Sequence, residues 1–269
     1  MTHRVTATII LMTAMLMDLM DSTITNVALP AISTDLGATP TQLEWTLVGY
    51  VVAFATLLIT GGRLGDIYGR KRIFLVGVIG FTCASMLASL AWNGNALITA
   101  RIIQGAFAGV MVPQVLSSVQ VMYTPEERGP VFGVIGSLNA LGVITGLLLG
   151  GWLVTANLFG TGWRSIFLIN VPVGIVLTVM AFLCIPESRS EHPLRLDLTG
   201  SALGATAVVL LVLPLTEGRA AGWAWWIWTL LIAAPFAIIA FIWQQHRRAT
   251  GAGAQLLPLP LFRIRSFSS

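Results

Sequence analysis

The sequence has little charge. Asp, Glu, Lys and Arg make up 10% of its 269 residues, whereas 56% are hydrophobic. A soluble domain carries about 25% charged residues, so this chain cannot cover itself with a water-facing surface and is expected to face lipid. Its net charge of +4 comes from basic residues scattered between apolar runs. That pattern is typical of orientation in a membrane and argues against a surface that binds nucleic acid.

Residues that serve chemistry are also scarce. The two cysteines, Cys83 and Cys184, lie in apolar stretches and predict buried free thiols rather than a metal site. The three histidines lack the spacing of metal ligands. The single lysine, Lys71, is followed by Arg72, so the sequence has no G-x4-G-K-[ST] phosphate-binding loop. We therefore expect this chain to be no enzyme and to hold no metal and no cofactor.

Long apolar runs dominate the rest of the chain. A helix needs about 20 mainly apolar residues to cross a bilayer, and a backbone in lipid must satisfy its own hydrogen bonds. The sequence therefore predicts an all-α polytopic membrane protein. The predicted spans cover residues 7–29, 45–62, 73–92, 96–119, 130–155, 165–185, 199–216 and 223–243.

The basic residues favour one orientation. With the N-terminus in the cytoplasm, all but three of the 15 basic residues fall on the inner side. The exceptions are Arg164 and Arg219 on the outer side and Arg101 within the fourth span. Because cytoplasmic loops carry an excess of Lys and Arg, we expect both ends to be cytoplasmic and the protein to lie in the plasma membrane.

Polar stretches divide the predicted spans into units. Residues 1–185 predict a six-helix bundle, and 186–198 a cytoplasmic linker. Residues 199–243 predict two additional helices. Residues 244–269 predict a cytoplasmic tail that leads towards a further span absent from this sequence.

Two acidic residues interrupt the first span. Asp18 and Asp21 are three residues apart, which places them on neighbouring parts of one helix face. An ionised carboxylate at such depth costs about 2.5–3.5 kcal/mol, and burial favours its neutral form whereas a nearby arginine favours its charged form. Arg101 is predicted in the same outer half of the membrane and could supply that charge. The alternatives are a capping or packing role for the acids and an Arg101 that extends to the outer surface.

The loop after the second span reads Gly62-Arg-Leu-Gly-Asp66-Ile-Tyr-Gly69-Arg70-Lys71-Arg72. It resembles the G-x-L-a-D-r-x-G-r-k-r signature of the major facilitator superfamily, and the chain is similar to its fourteen-span drug:proton antiporters. The resemblance implies that this loop latches two halves of a transporter. Its expected gating residues are Gly62, Asp66, Gly69, Arg70, Lys71 and Arg72.

Two further motifs carry the resemblance. The first span ends Asp21-Ser-Thr-Ile-Thr-Asn26-Val-Ala-Leu-Pro30, similar to L-D-x-T-I-V-N-V-A-L-P, and the fourth contains Arg101-Ile-Ile-Gln104-Gly105, similar to R-x-x-Q-G. The resemblance implies a role for the arginine in proton coupling. Our hypothesis is that protonation of Asp21, tuned by Arg101 and with Asp18 nearby, competes with substrate binding. The substrate-lining candidates are Asn26, Gln104, Gln114 and Asn139.

The fifth span carries glycines in the spacing of the antiporter signature G-x8-G-x3-G-P-x2-G-G. Leu147 replaces the proline of that signature, so the bend implied by the family does not follow for this chain. Close helix packing through small residues is the simpler interpretation. The matching glycines are Gly133, Gly142, Gly146, Gly150 and Gly151.

Together these features predict a proton-driven exporter of amphipathic, drug-like molecules. Its expected partners are the lipid bilayer, protons and a small-molecule substrate, with no nucleic acid. A solute symporter with the same fold is one alternative. Another is a truncated or split chain that needs a second chain to supply the missing C-terminal bundle, because transporters of this kind bind substrate between two halves.

Overall fold

The computed structural model describes residues 2–190, 197–219 and 221–249. Within these ranges eight helices or helical segments are long and apolar enough to cross a membrane. Two 3-10 turns, Leu158–Gly160 and Gly162–Arg164, follow the fifth span, and the second of them begins the sixth span. The helices are α1 (Thr2–Leu36), α2 (Pro40–Tyr68), α3 (Arg70–Ser89), α4 (Gly94–Met122), α5 (Pro125–Ala156), α6 (Ser165–Leu168), α7 (Asn170–Cys184), α8 (Leu198–Glu217) and α9 (Trp225–Ala249).

The eight predicted spans and the all-α fold class are confirmed, and several helices begin before their apolar runs. In α2, for example, Thr39 and Gln42 form a reciprocal cap in which each side chain accepts from the other's backbone N–H, at 3.3 and 3.0 Å. Asn93 caps α4 in a similar way, accepting from the N–H of Ala96 at 2.8 Å. Capping side chains thus start the helices in the polar joints.

The division of the chain into a six-helix bundle, a linker, two additional helices and a tail stays a prediction. Residues 191–196 of the predicted linker and 250–269 of the predicted tail lie outside the described residues, as do Met1 and Ala220.

Two apolar clusters fill the interior of the first six spans. One extends along α1 as far as Met17 and includes Phe81 and Met111. The other includes Ile24 of α1 and Phe167 of α6. The part of α1 between Met17 and Ile24 carries the predicted acidic pair, so these two acids lie between two apolar layers.

Large apolar side chains also cover the outer surface. Leu148, Phe182 and Phe236 are each about two-thirds exposed, as expected where the surrounding solvent is lipid. The predicted burial of Cys83 was wrong, because its thiol lies on this outer surface. A weakly polar thiol is compatible with a lipid-facing position, and Cys184, also a free thiol, is partly buried.

The glycines of α5 divide into two groups. A Cβ atom at Gly142, Gly146 or Gly150 would lie 2.8–2.9 Å from side-chain atoms of α1, closer than real Cβ atoms approach. Gly133 and Gly151 have no atom within 4 Å of the same position. Three of the five predicted glycines therefore let α5 approach α1, whereas two face open space.

The α8–α9 hairpin packs against α2. Near one end of the contact, Thr60 of α2 donates to the hydroxyl of Ser201 at 2.8 Å. Near the other, the Trp45 indole N–H donates to Glu217 at the end of α8. These two polar contacts hold the hairpin on α2 at both ends of α8.

Asp197 joins the two helices of this hairpin. It caps α8 by accepting from the N–H of Gly200 at 2.8 Å, and it accepts from the amide of Gln245 on α9 at 2.8 Å. Burial alone would raise the pKa of Asp197, but hydrogen bonds from Gly200, Gln245, Gln244 and Thr199 outweigh it and hold that pKa below its usual range. The charged carboxylate therefore ties the start of α8 to the end of α9.

A pair of neighbouring alanine substitutions tests the packing of α5 on α1. Gly150→Ala is expected to lower the thermal unfolding midpoint, because the new Cβ would lie 2.8 Å from Ile24 and overpacking costs about 1–3 kcal/mol. Gly151→Ala is the matched control and is expected not to lower the midpoint, since its site is open and alanine favours helix over glycine. Tryptophan fluorescence during heating in one detergent measures both, and equal midpoints would contradict the packing.

Candidate functional site

A buried ion pair joins α1 to α4. Arg101 is 1% exposed and Asp21 is fully buried, and the Arg101 Nη1 donates to Oδ2 of Asp21. The other carboxylate oxygen accepts from Gln104 Nε2 at 2.9 Å and from Asn170 Nδ2 at 2.6 Å. Both oxygens of Asp21 are thus satisfied by donors from α4 and α7.

The guanidinium of Arg101 is held from several sides. Its Nη1 also donates to Gln104 Oε1 at 2.7 Å, and its Nε donates to the carbonyl oxygen of Thr46 at 3.3 Å. The ring of Tyr50 lies 4.1 Å from the guanidinium carbon and that of Phe167 lies 5.7 Å away, within range of cation–π attraction. Arg101 therefore points into the bundle, not out to the membrane surface.

Ser85 of α3 completes the hydrogen-bond network. Its hydroxyl accepts from Gln104 Nε2 at 2.8 Å and from Asn170 Nδ2 at 3.3 Å. The network thereby connects α1, α2, α3, α4 and α7. We call the set Asp21, Ser85, Arg101, Gln104 and Asn170 the central cluster.

Such a cluster is tolerated in an apolar interior because its charges compensate each other. Removing two ions from water costs several kcal/mol each, and only good pairing geometry with additional hydrogen bonds offsets this cost. In the central cluster the carboxylate of Asp21 accepts three hydrogen bonds, one of them from the cation. Loss of either ion would leave the other charge buried without its partner.

Asp18 lies one helical turn from Asp21 and has different partners. It is 6% exposed, and the hydroxyl of Tyr50 on α2 donates to its Oδ1. The ring of the same tyrosine covers Arg101. Tyr50 therefore contacts both the second buried acid and the cation of the central cluster.

A narrow apolar groove leads to this cluster between α1 and α7. It has a volume of about 180 Å³ and reaches the side chains of Asp21 and Asn170. Its walls are mainly apolar and include Met17, Met20 and Val173. The groove brings an apolar surface next to the buried acid.

The predicted gating loop contacts the segment that follows α7. Arg70 and Asp66 form an ion pair at 2.6 Å. The Arg70 backbone N–H donates to the Ser188 carbonyl at 2.9 Å, and that of Ser190 donates to the Asp66 carbonyl at 3.3 Å. The loop and this segment are thereby held together through backbone hydrogen bonds.

Glu187, in the segment that follows α7, lies against the start of α3. Its carboxylate accepts from the Lys71 backbone N–H at 3.1 Å and lies 3.6 Å from Arg72. Gly69 has a φ of 107°, which favours glycine, and a Cβ there would lie 2.5 Å from Glu187. Gly69 is thus required both by the turn and by the approach of Glu187, whereas Gly62 lies within α2.

The structure brings some predicted site residues together and leaves others apart. Asp21, Arg101 and Gln104 share the central cluster, with Asp18 beside it. Gln114 is buried nearer the C-terminal end of α4 and donates to the Gly61 carbonyl at 2.7 Å. The other two substrate-lining candidates are exposed and bond their own helices: Asn26 donates to Ser22 O at 3.0 Å and Asn139 to Ile135 O at 3.5 Å.

Sequence reasoning missed four residues of this region. None of the predicted site residues is Asn170, Ser85, Tyr50 or Thr46. One signal could have found Asn170 and Ser85: each is a polar side chain within an apolar span, where burial requires a partner. The direction in which each points was not available from spacing alone.

Comparison with known proteins identifies relatives of the whole chain. The sequence model of the Major Facilitator Superfamily matches residues 11–243. The chain is 43% identical to the probable actinorhodin transporter of Streptomyces coelicolor, over 97% of this chain and 45% of that protein. It is 35% identical to the tetracenomycin C resistance and export protein of Streptomyces glaucescens, over 91% and 44%, and 36% identical to a puromycin resistance protein of Streptomyces alboniger, over 89% and 47%. The chain thus spans about half the length of these curated relatives.

Solved structures share the fold at low sequence identity. The peptide transporter PepTSo2 aligns with a TM-score of 0.64 at 15% identity, over 92% of this chain and 55% of that chain. The proton:xylose symporter XylE aligns with a TM-score of 0.58 at 15% identity, over 93% and 55%. At this identity the likeness extends to the helical architecture and not to what these proteins transport.

Removing one or both ions of the buried pair tests its role in stability. Arg101→Leu is expected to destabilise the protein by about 3–5 kcal/mol, because it leaves the Asp21 carboxylate buried without its cation. The double variant Asp21→Leu/Arg101→Leu is expected to recover part of this loss, since neither charge then remains. Thermal unfolding of wild type, single and double variants in the same detergent measures the difference. A double variant that loses the sum of both single losses would contradict the pairing.

Proposed function

This chain belongs to the major facilitator superfamily, and on that premise we propose that it forms part of a proton-coupled exporter of amphipathic organic molecules. The observation that carries the proposal is the fully buried Asp21–Arg101 pair at the centre of a multi-pass membrane protein. Ionisable residues at such depth are expensive, and a functional role is their default interpretation.

Export of drug-like molecules is supported by the relatives. Two of them are named for antibiotic resistance, and one of these also for export. They are 35–36% identical to this chain over about nine-tenths of its length. The fourteen-span antiporter organisation agrees with eight spans in a chain about half as long as its relatives.

The chemistry of the central cluster supports proton coupling. An arginine stays protonated at any accessible pH, so a transported proton must be carried by a carboxylate beside it. Protonation of a buried acid removes one charge from the surroundings of Arg101 and changes how strongly α1 is held to α4 and α7. A shift of this kind can bias two conformations that differ in the contacts of these helices.

The groove beside Asp21 suggests the substrate class. Its walls are mainly apolar, and Asp21 is one of the residues that line it. A molecule with an apolar body and a polar or cationic group fits both features, and its binding would compete with a proton for the negative charge that the two buried acids of α1 supply. Such competition is the thermodynamic basis of antiport, because the two ligands then bind in alternation.

The gating loop completes the proposal. We place it on the cytoplasmic side, together with the N-terminus, because most basic residues then fall inside. The Asp66–Arg70 pair and the segment at Glu187 would hold the inner ends of α2 and α3 in one arrangement. Alternating access also needs a second bundle, supplied by a further part of the polypeptide or by a second chain.

Replacement of the buried acid tests the proposed function. In membrane vesicles that contain the complete transporter, Asp21→Asn is expected to abolish transport of the fluorescent cation ethidium driven by a pH gradient, because the buried Arg101 loses its charged partner. The matched control is Asp35→Asn on the same helix, whose exposed pair with Arg164 at 2.5 Å is expected to matter little. Wild-type coupling in Asp21→Asn would reject the role of the central cluster.

A further inference from the structure

The two buried acids of α1 have unequal surroundings. Asp21 accepts three hydrogen bonds, from the Arg101 guanidinium and from the amides of Gln104 and Asn170. Among the described residues, the carboxyl group of Asp18 accepts one hydrogen bond, and its donor is the neutral hydroxyl of Tyr50. Both carboxyl groups are more than nine-tenths buried, so the difference lies in their partners and not in their depth.

Arg101, the cation of the site, is paired with Asp21. Arg101 donates to Asp21, to Gln104 and to the Thr46 carbonyl, and aromatic rings lie near its guanidinium. None of its hydrogen bonds reaches Asp18. A single guanidinium therefore faces two carboxyl groups and compensates the charge of one.

Within the described ranges, the charged and titratable groups that bear on Asp18 come from three helices. Tyr50 approaches from α2, Arg101 from α4, and Asp21 lies one turn away on α1 itself. Ionised, Asp18 would be a second negative charge beside Asp21, buried with one neutral donor. Burial and a like charge both favour the protonated carboxyl, whereas direct pairing with a cation and several donors favours the ionised one.

We propose that Asp18 is the group that takes up and releases the transported proton, whereas Asp21 stays ionised as the fixed partner of Arg101. The inference rests on the proposed function and assigns the proton within its site. When Asp18 is protonated, the charges of Asp21 and Arg101 cancel. When its O–H bond breaks, the proton leaves to the water on the open side and the site keeps one excess negative charge.

This excess charge defines the substrate that can exchange with the proton. An organic cation restores neutrality as the proton does, so one positive charge can replace one proton. A neutral or anionic molecule would leave the excess negative charge of the site uncompensated. Charge balance therefore favours an amphipathic monocation as the substrate class, and the apolar groove that such a molecule would enter is lined by Asp21, one helical turn from Asp18.

Tyr50 is the positioning residue of this arrangement. Its hydroxyl donates to the carboxyl group of Asp18, and its ring lies 4.1 Å from the guanidinium carbon of Arg101. The same helix, α2, continues to the ion pair of Asp66 in the gating loop. Tyr50 is thus the side chain through which a change at Asp18 would reach Arg101 and α2.

Infrared spectroscopy on this chain in lipid nanodiscs tests the assignment without requiring transport. A protonated carboxyl group has a C=O stretching band that disappears when the group ionises. The wild-type protein is expected to show one such band from an apolar environment, lost as the pH rises. Asp18→Asn is expected to remove the band, and Tyr50→Phe is expected to move it to higher wavenumber because the C=O group loses its hydrogen-bond donor.

Two further variants keep the test decisive. Asp35→Asn is the control and is expected to leave the band unchanged. If Asp18→Asn impairs folding, Asp18→Glu takes its place and is expected to show a titrating band at an altered wavenumber. A wild type without the band, a band that persists in Asp18→Asn, or a band whose wavenumber is unchanged in Tyr50→Phe would each overturn the assignment. Wild-type efflux that ignores a proton gradient would instead reject the proposed function, whatever the spectrum shows.

Discussion

The buried contact between Asp21 and Arg101 is the constraint on which the rest of the bundle depends. Each ion is stable in the apolar interior only because the other lies against it. The remaining hydrogen-bonding capacity of the pair must also be used, and side chains from α3, α4 and α7 supply it. The polar network thereby specifies how five spans are rotated about their axes, which apolar packing alone specifies less strictly.

Apolar packing and this network are arranged in layers. One hydrophobic cluster lies on each side of the acids along α1, and three glycines of α5 let that helix approach α1 closely. Water is thus excluded around the charges, which strengthens their interaction. The same exclusion makes any change in protonation costly unless the helices rearrange, and this cost is what a transporter can convert into movement.

Sequence reasoning predicted the helices well and the site in part. Apolar length predicted all eight spans, and the order of the spans along the chain predicted that Asp21 and Arg101 lie in the same half of the membrane. It did not predict that Asn170 and Ser85 would join them, since a polar residue in an apolar run indicates burial without a direction. It also treated five glycines of α5 alike, although Gly133 and Gly151 face open space. The orientation of each helix about its own axis keeps Asn26 and Asn139 away from the central cluster. That orientation is determined by packing between segments that are distant in the sequence.

Solid-state NMR of the protein in bilayers tests the central contact most directly. With 15N in arginine side chains and 13C in aspartate carboxyl groups, dipolar transfer reports which guanidinium touches which carboxylate. We expect a correlation between Arg101 and Asp21 that is lost in Arg101→Lys, while those of the Arg70–Asp66 and Arg164–Asp35 pairs remain. A wild-type spectrum in which no correlation depends on Arg101 would contradict the account.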